Sequence, residues 1–196
     1  MNGTKQFMRK INFPSYIQAD AKDCGPTCLR IISKYYGKSI SLQQIRNLSE
    51  TTREGSSLMG LSDAAEKLGY KTLGLKIDFT TLIEDIPLPC ICHWNKYHFV
   101  VIYKIDKTGK VYISDPSYGL ITYSKEEFIR FWIGNNADEN TEEGVILVLE
   151  TTPSFFQNEF DENKSKASFS FLSKYLLKYK FLVIQLAVGL LAGSLL

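Results

Sequence analysis

The chain has 196 residues, 44% hydrophobic and 22% charged, which suffices for one ordinary core and is unlike a disordered or fibrous composition. A formal net charge of +2, with no basic run interleaved with aromatics in the folded-looking part, argues against nucleic acid as a partner. One domain followed by a tail is the expectation.

Residues 1–12 lack the apolar stretch of a secretory signal, so the four thiols, Cys24, Cys28, Cys90 and Cys92, are expected reduced, in a cytoplasm. The first informative passage is Gln18-Ala19-Asp20-Ala21-Lys22-Asp23-Cys24-Gly25-Pro26-Thr27. Asp23 can cap a helix, Pro26 is tolerated only in its first turn, and Leu29, Ile32 and Tyr36 recur at helical spacing until Gly37 stops it. Cys24 is thereby predicted in the first turn, where backbone amides and the positive dipole end stabilise a thiolate, the arrangement a cysteine acyl-transfer enzyme needs. The same position also suits a buried small hydrophobe, and read alone Cys24 fits both descriptions.

Two helical faces follow, Leu42, Ile45 and Leu48, then Leu58, Leu61, Ala65 and Leu68, punctuated by Gly55 and Gly69. Residues 70–77 alternate as a strand, 79–83 form one helical turn, and Pro87-Leu88-Pro89 interrupts. Strands are predicted at 90–94, 97–103, 110–115, 120–123 and 144–149, with a helix at 125–132 and a hairpin turn at 106–109. Helices first and an antiparallel sheet after them indicate an α+β domain, with N-terminal helices packed on the sheet.

Residues 1–150 are thus expected to form the domain and 151–168 a polar linker. Residues 169–196 read as an amphipathic segment leading into the apolar run 181–196. Sixteen residues span about 24 Å as a helix, short of the roughly 30 Å hydrocarbon core, so the run is expected to be the truncated start of a first transmembrane helix. The lysines before it, Lys174, Lys178 and Lys180, place the domain on the cytoplasmic side.

A cysteine nucleophile needs a base, and the only histidines are His93 and His98. With a four-residue loop at 106–109, His98 would oppose Ser117 and Asp115 would lie one diagonal step away on the same face; an odd loop would separate them. On one face, Asp115 could accept the Nδ1 hydrogen of His98 and fix its tautomer. Taken singly, Asp115-Pro116 is a turn opener and His98 a core histidine; His93, beside the turn-like Trp94-Asn95-Lys96, ranks second as base. Gln18, six residues before Cys24, could donate to an oxyanion, though it is also an ordinary surface glutamine. Asp20 and Asp23 read as turn and cap residues. The thiols and imidazoles are numerous enough for zinc, but the paired two-residue gaps of zinc knuckles are absent, and Cys90 and Cys92 alternate on a strand.

Gln18-x-Asp20-x-x-Asp23-Cys24-Gly25, His98-Phe99-Val100-Val101 and Asp115-Pro116, in that order, resemble the peptidase domain of peptidase-containing ABC transporters, which remove double-glycine leaders from bacteriocins and related peptides. The resemblance covers residues 13–149. It implies a papain-like cysteine peptidase fold, with Cys24 as nucleophile, His98 as general base and acid, Asp115 as the orienting carboxylate and Gln18 as oxyanion donor. It implies no cofactor or metal in this domain, and ATP for a full transporter. The partners it implies are a leader peptide, transmembrane and nucleotide-binding domains, and the membrane through the C-terminal segment. The implied location is the cytoplasmic side of the bacterial inner (cell) membrane. Two alternatives stand beside it: a catalytically silent peptidase-like domain that only binds cargo, and a stand-alone papain-like cysteine hydrolase.

Overall fold

The computed structural model describes residues 13–52, 55–134 and 143–157, and beyond them 179–181, 184, 185, 190 and 193. Two compact units divide the chain, Met1–Phe160 and Asp161–Leu196. The segment expected to begin a membrane span falls almost wholly outside the described residues, among which no helix is long and apolar enough to cross a membrane.

In the first unit a short 3-10 turn, Ala21–Asp23, runs into α1, Cys24–Tyr35. Next come α2, Leu42–Leu48, and α3, Leu58–Lys67, each opened by a serine whose hydroxyl accepts a first-turn amide: Ser41 from Gln44 and Ser57 from Gly60. Strand β1, Tyr70–Ile77, is followed by α4, Phe79–Glu84, capped by Asp78. Strands β2, Cys90–Trp94, β3, His98–Ile105, β4, Val111–Asp115, and β5, Gly119–Tyr123, form a meander. Helix α5, Lys125–Ile133, starts in a capping box between Ser124 and Glu127, and β6, Gly144–Thr151, and α6, Pro153–Gln157, complete the unit. These elements match the predicted ones to within two residues at each end, the 3-10 turn and α6 apart.

All pairings are antiparallel, in the order β1-β6-β2-β3-β4-β5, so β6 returns between β1 and β2. Side chains alternate between two cores. Ile91, Phe99, Val101, Leu147 and Leu149 meet α1, α2 and α3 on one face; Cys90, Cys92, Val100, Ile102 and Ile146 meet Phe79, Leu82, Phe128 and Trp132 of α4 and α5 on the other. The N-terminal helices pack on the sheet as expected, and α4 and α5, for which the sequence reading named no face, cover the other side. Coverage of both faces is what turns the inner strands into unbroken apolar runs such as Phe99-Val100-Val101-Ile102.

The stretch expected to begin a linker at residue 151 is still folded. Thr152 gives both its amide (3.1 Å) and its hydroxyl (2.6 Å) to Gly69 O, and Phe155 is fully buried with its ring 4.5 Å from Tyr70. Gly69 has φ +98° and lies so close to the backbone of Phe155 that a Cβ there would collide with it. Pro153 and Ser154 at the start of α6 hid a single aromatic plug.

Candidate active site

Whether His98 and Asp115 share a face depends on the hairpin between them. Five residues, 106–110, separate β3 from β4, closed by Asp106 N to Lys110 O at 3.0 Å, one more than the expected four. Asp106 collects the Thr108 amide (2.8 Å), the Thr108 hydroxyl (2.6 Å) and the Lys110 amide (3.1 Å), and Gly109 takes φ +82°, which settles the longer turn. An odd loop by itself would put the pair on opposite faces. A bulge cancels it: Ile105 pairs Val111 and Lys104 pairs Tyr112, whereas Ile102 pairs Ile113 and Val101 pairs Ser114, so Tyr103 is the extra residue. Beyond the bulge the register is the one a four-residue loop would have produced, and it brings the two side chains together.

His98 Nε2 lies 2.8 Å from Asp115 Oδ1, which also accepts the Ser117 amide at 2.7 Å. Asp115 is therefore turn opener and imidazole partner at once. Nε2 meets the carboxylate, where the sequence expectation had Nδ1, and the Cys24 side chain lies near enough to the imidazole to act on its proton affinity. Burial pushes the His98 pKa down, but the hydrogen bonds to Asp115 and Cys24, with their charges, carry it up to about 9. Cys24 is 5% exposed, Asp115 3% and the His98 side chain 14%, so the three groups are almost covered.

The backbone of Gln18 is tied next to Asp115 by the segment that carries it. Phe13 stacks on the bulge residue Tyr103 at 4.3 Å, and Pro14 O accepts the Ser114 hydroxyl at 3.1 Å. Tyr16 lies under the Arg30 guanidinium at 4.2 Å, and Gln18 N donates to Pro116 O at 2.8 Å. The segment is thus fastened to both the nucleophile's helix and the strand end that bears Asp115. Gln18 Oε1 is buried without a hydrogen-bond partner among the described residues. A half-turn of the amide exchanges Oε1 with Nε2, so this end of Gln18 can present N–H donors.

The remaining candidates lie elsewhere. His93 stacks on Phe99 at 4.9 Å, and burial lowers its pKa. Cys24 and Cys28 belong to one core, and Cys90 and Cys92 to the other, across the sheet. Burial pushes the Cys28 and Cys92 thiols well up and Cys90 to about 12, which makes all three poor nucleophiles. Among the described residues no three His, Cys, Asp or Glu side chains gather in a group that could hold a metal ion. Asp20 caps the 3-10 turn through the Lys22 amide, as a turn residue should. Asp23 sits at the N-cap position of α1 but makes no capping bond; it is fully buried and its carboxylate is gripped by Arg46 of α2, Nε to Oδ1 at 2.6 Å and the second guanidinium arm to Oδ2. Arg46 was invisible to the sequence reading, although a buried carboxylate beside a nucleophile calls for a cation.

A family model described as the peptidase C39 family matches residues 12–137. The chain is 41% identical over 132 residues to the lactococcin-G-processing and transport ATP-binding protein LagD of Lactococcus lactis subsp. lactis, covering 65% of this chain and 18% of that protein. It is 33% identical over 121 residues to the colicin V secretion/processing ATP-binding protein CvaB of Escherichia coli, covering 62% and 17%. The chain therefore spans less than a fifth of the length of these relatives. Among solved structures, it resembles a double glycine motif protease from an AMS/PCAT transporter in complex with the leader peptide (TM-score 0.63, 30% identity, 71% of this chain and 91% of that one). It also resembles the peptidase domain of Streptococcus ComA, a bi-functional ABC transporter involved in a quorum sensing pathway (TM-score 0.62, 28% identity, 71% and 99%).

Proposed function

This chain belongs to the peptidase C39 family and has its papain-like cysteine peptidase fold, and from that premise we propose that it cleaves the double-glycine leader of a bacteriocin-like precursor as part of a peptide-exporting ABC transporter. The observation that carries the proposal is the 2.8 Å hydrogen bond between the His98 imidazole and Asp115, with Cys24 near enough to the ring to raise its proton affinity. His98 takes the proton of Cys24, and the sulfur attacks the carbonyl of the second leader glycine. The tetrahedral oxyanion takes hydrogen bonds from first-turn amides of α1 and from the Gln18 amide. His98 then protonates the leaving amine, and with its proton gone it accepts one from the water that hydrolyses the thioester. Asp115 holds the ring throughout, which leaves its other nitrogen for the proton of Cys24.

Glycine at both positions before the cut suits an opening whose reacting groups are almost covered. The transmembrane and nucleotide-binding partners, ATP use by the full transporter, and a position on the cytoplasmic side of the cell membrane are part of the same proposal, supported by what the relatives are named for. Incubating the chain with a synthetic peptide bearing a Gly-Gly leader tests it by mass spectrometry. Cleavage after the second glycine by the parent, none by Cys24→Ala, and retained leader binding by that variant are expected. Equal turnover by Cys24→Ala would refute the mechanism, and leader binding without cleavage by the parent would make the domain a cargo binder.

A further inference from the structure

We propose that Thr27 is a positioning residue for this reaction: its buried hydroxyl, one helical turn past Cys24, shares a bound water with the Gln18 carboxamide oxygen and so leaves the NH2 end of that amide for the oxyanion. The inference rests on the reading of Gln18 as oxyanion donor.

Among the described residues, three buried side-chain nitrogen or oxygen atoms have no hydrogen-bond partner: Gln18 Oε1, Thr27 Oγ1 and Arg30 Nε. All three belong to one seam, where residues 13–18 run along α1 in the opposite direction. The Phe13 ring lies 5.2 Å from that of Tyr35, and Tyr16 meets Arg30, so three residues of the segment pass five residues of the helix. At that pitch Gln18 comes level with Thr27. Side-chain direction agrees: Ser15 and Ile17 are exposed and face Gly119 of β5, whereas Tyr16 faces α1, and by the same alternation so does Gln18. Cys24 and Thr27, three residues apart, share one face of α1.

A hydroxyl on a helix with nothing else to bond falls back on the carbonyl one turn earlier, as Ser49 at the end of α2 does with Ile45 O at 2.9 Å. Thr27 forgoes that bond. It is 1% exposed among Cys28, Leu29 and Ile31, all fully buried, where a valine of the same shape would bring no polar group to satisfy. A hydroxyl kept at such a place points to a partner that it serves. The seam also decides which end of the Gln18 amide turns inward. Arg30 Nε–H can only donate and the Thr27 hydroxyl can donate, so both suit a carboxamide oxygen, and an NH2 there would set donor against donor. A water among the three has three polar partners, the usual number for a buried water. The role needs no contact between Thr27 and the substrate, since it acts through Gln18.

The test compares kcat and KM for the Gly-Gly peptide, together with urea midpoints, for the parent, Thr27→Val, Thr27→Ser, Gln18→Ala and Gln18→Ala/Thr27→Val. Thr27→Val keeps the shape and removes the hydroxyl. It is expected to lose at least about tenfold in kcat with KM changed less than about threefold, and to unfold at a urea midpoint no lower than the parent's. Thr27→Ser is expected to stay within about threefold of the parent, and Thr27→Val to add less than about twofold to the loss in Gln18→Ala. A parent-like kcat in Thr27→Val overturns the proposal, as does a Thr27→Ser as slow as Thr27→Val, or a loss that persists in full in the Gln18→Ala background. Should Thr27→Val lower the urea midpoint, the Gln18→Ala background decides alone: a loss that vanishes there supports the proposal and one that persists overturns it. A Gln18→Ala as active as the parent removes the oxyanion reading first, and the inference with it.

Discussion

Replacing Asp115 by asparagine should change how the stability of the domain depends on pH, and the direction follows from His98. The imidazole is raised from 6.5 to about 9 in the folded chain, with its side chain 14% exposed. Between those values the folded state binds a proton that the unfolded state has released, so the stabilisation is fully present below pH 6.5 and is lost as pH rises through 9. The whole interval corresponds to about 3 kcal/mol; residual screening by solvent reduces the expected loss to about 2 kcal/mol, shared between Asp115 and Cys24. Asp115→Asn removes the first-named of those two partners and should cut the fall between pH 6 and 9 to under about 1 kcal/mol. Urea midpoints at the two pH values and constant ionic strength measure it, read by fluorescence of the buried Trp94 and Trp132. Using the difference between parent and variant cancels every group common to both. Parallel curves for the two proteins would show that Asp115 does not hold the His98 proton, and the catalytic geometry would have to be redrawn.

Deleting Tyr103 leaves the five-residue loop uncompensated and should lower cleavage at least about tenfold, while deleting Tyr103 and Lys107 together restores an even loop and much of the activity; full activity of the single deletion would refute the register argument. His98→Ala should lose iodoacetamide labelling of Cys24 near neutral pH and His93→Ala should keep it, since His93 stacks on Phe99 away from Asp115. Phe155→Ala should cost about 3–5 kcal/mol in urea unfolding, and a chain ending at residue 151 should lose as much or more; a change below 1 kcal/mol would restore this stretch to the linker.

The helices and strands were legible because caps and periodicity agree locally: Ser41, Ser57 and Ser124 each stand one residue before a helix, and the inner strands are apolar on both faces. The pairing of His98 with Asp115 was legible only as a parity argument. Its result held although its premise failed, since the loop is odd and a bulge, which has no composition signal, corrects it. Ring orientation was beyond reach, because Nδ1 and Nε2 are equivalent to a sequence. Asp23 was misread as a cap since local preference says nothing of a partner 23 residues away. The expected roles of Cys24, His98 and Asp115 remain a proposal that the assays above decide, and that of Gln18 stands with them as a proposal.

The insertion of β6 between β1 and β2 also sets a schedule. The sheet pairs Tyr70 with Thr151 and Ile77 with Gly144, so β1 has no strand beside it until the end of the domain has been made. About 70 residues of synthesis intervene, roughly 4–14 s at ordinary ribosomal rates. For that time β1 and one side of β2 are open edges, and the helical layer that carries Cys24 has only part of the surface it is to rest on. The domain cannot mature from its N-terminus forward: its folding waits on its last strand.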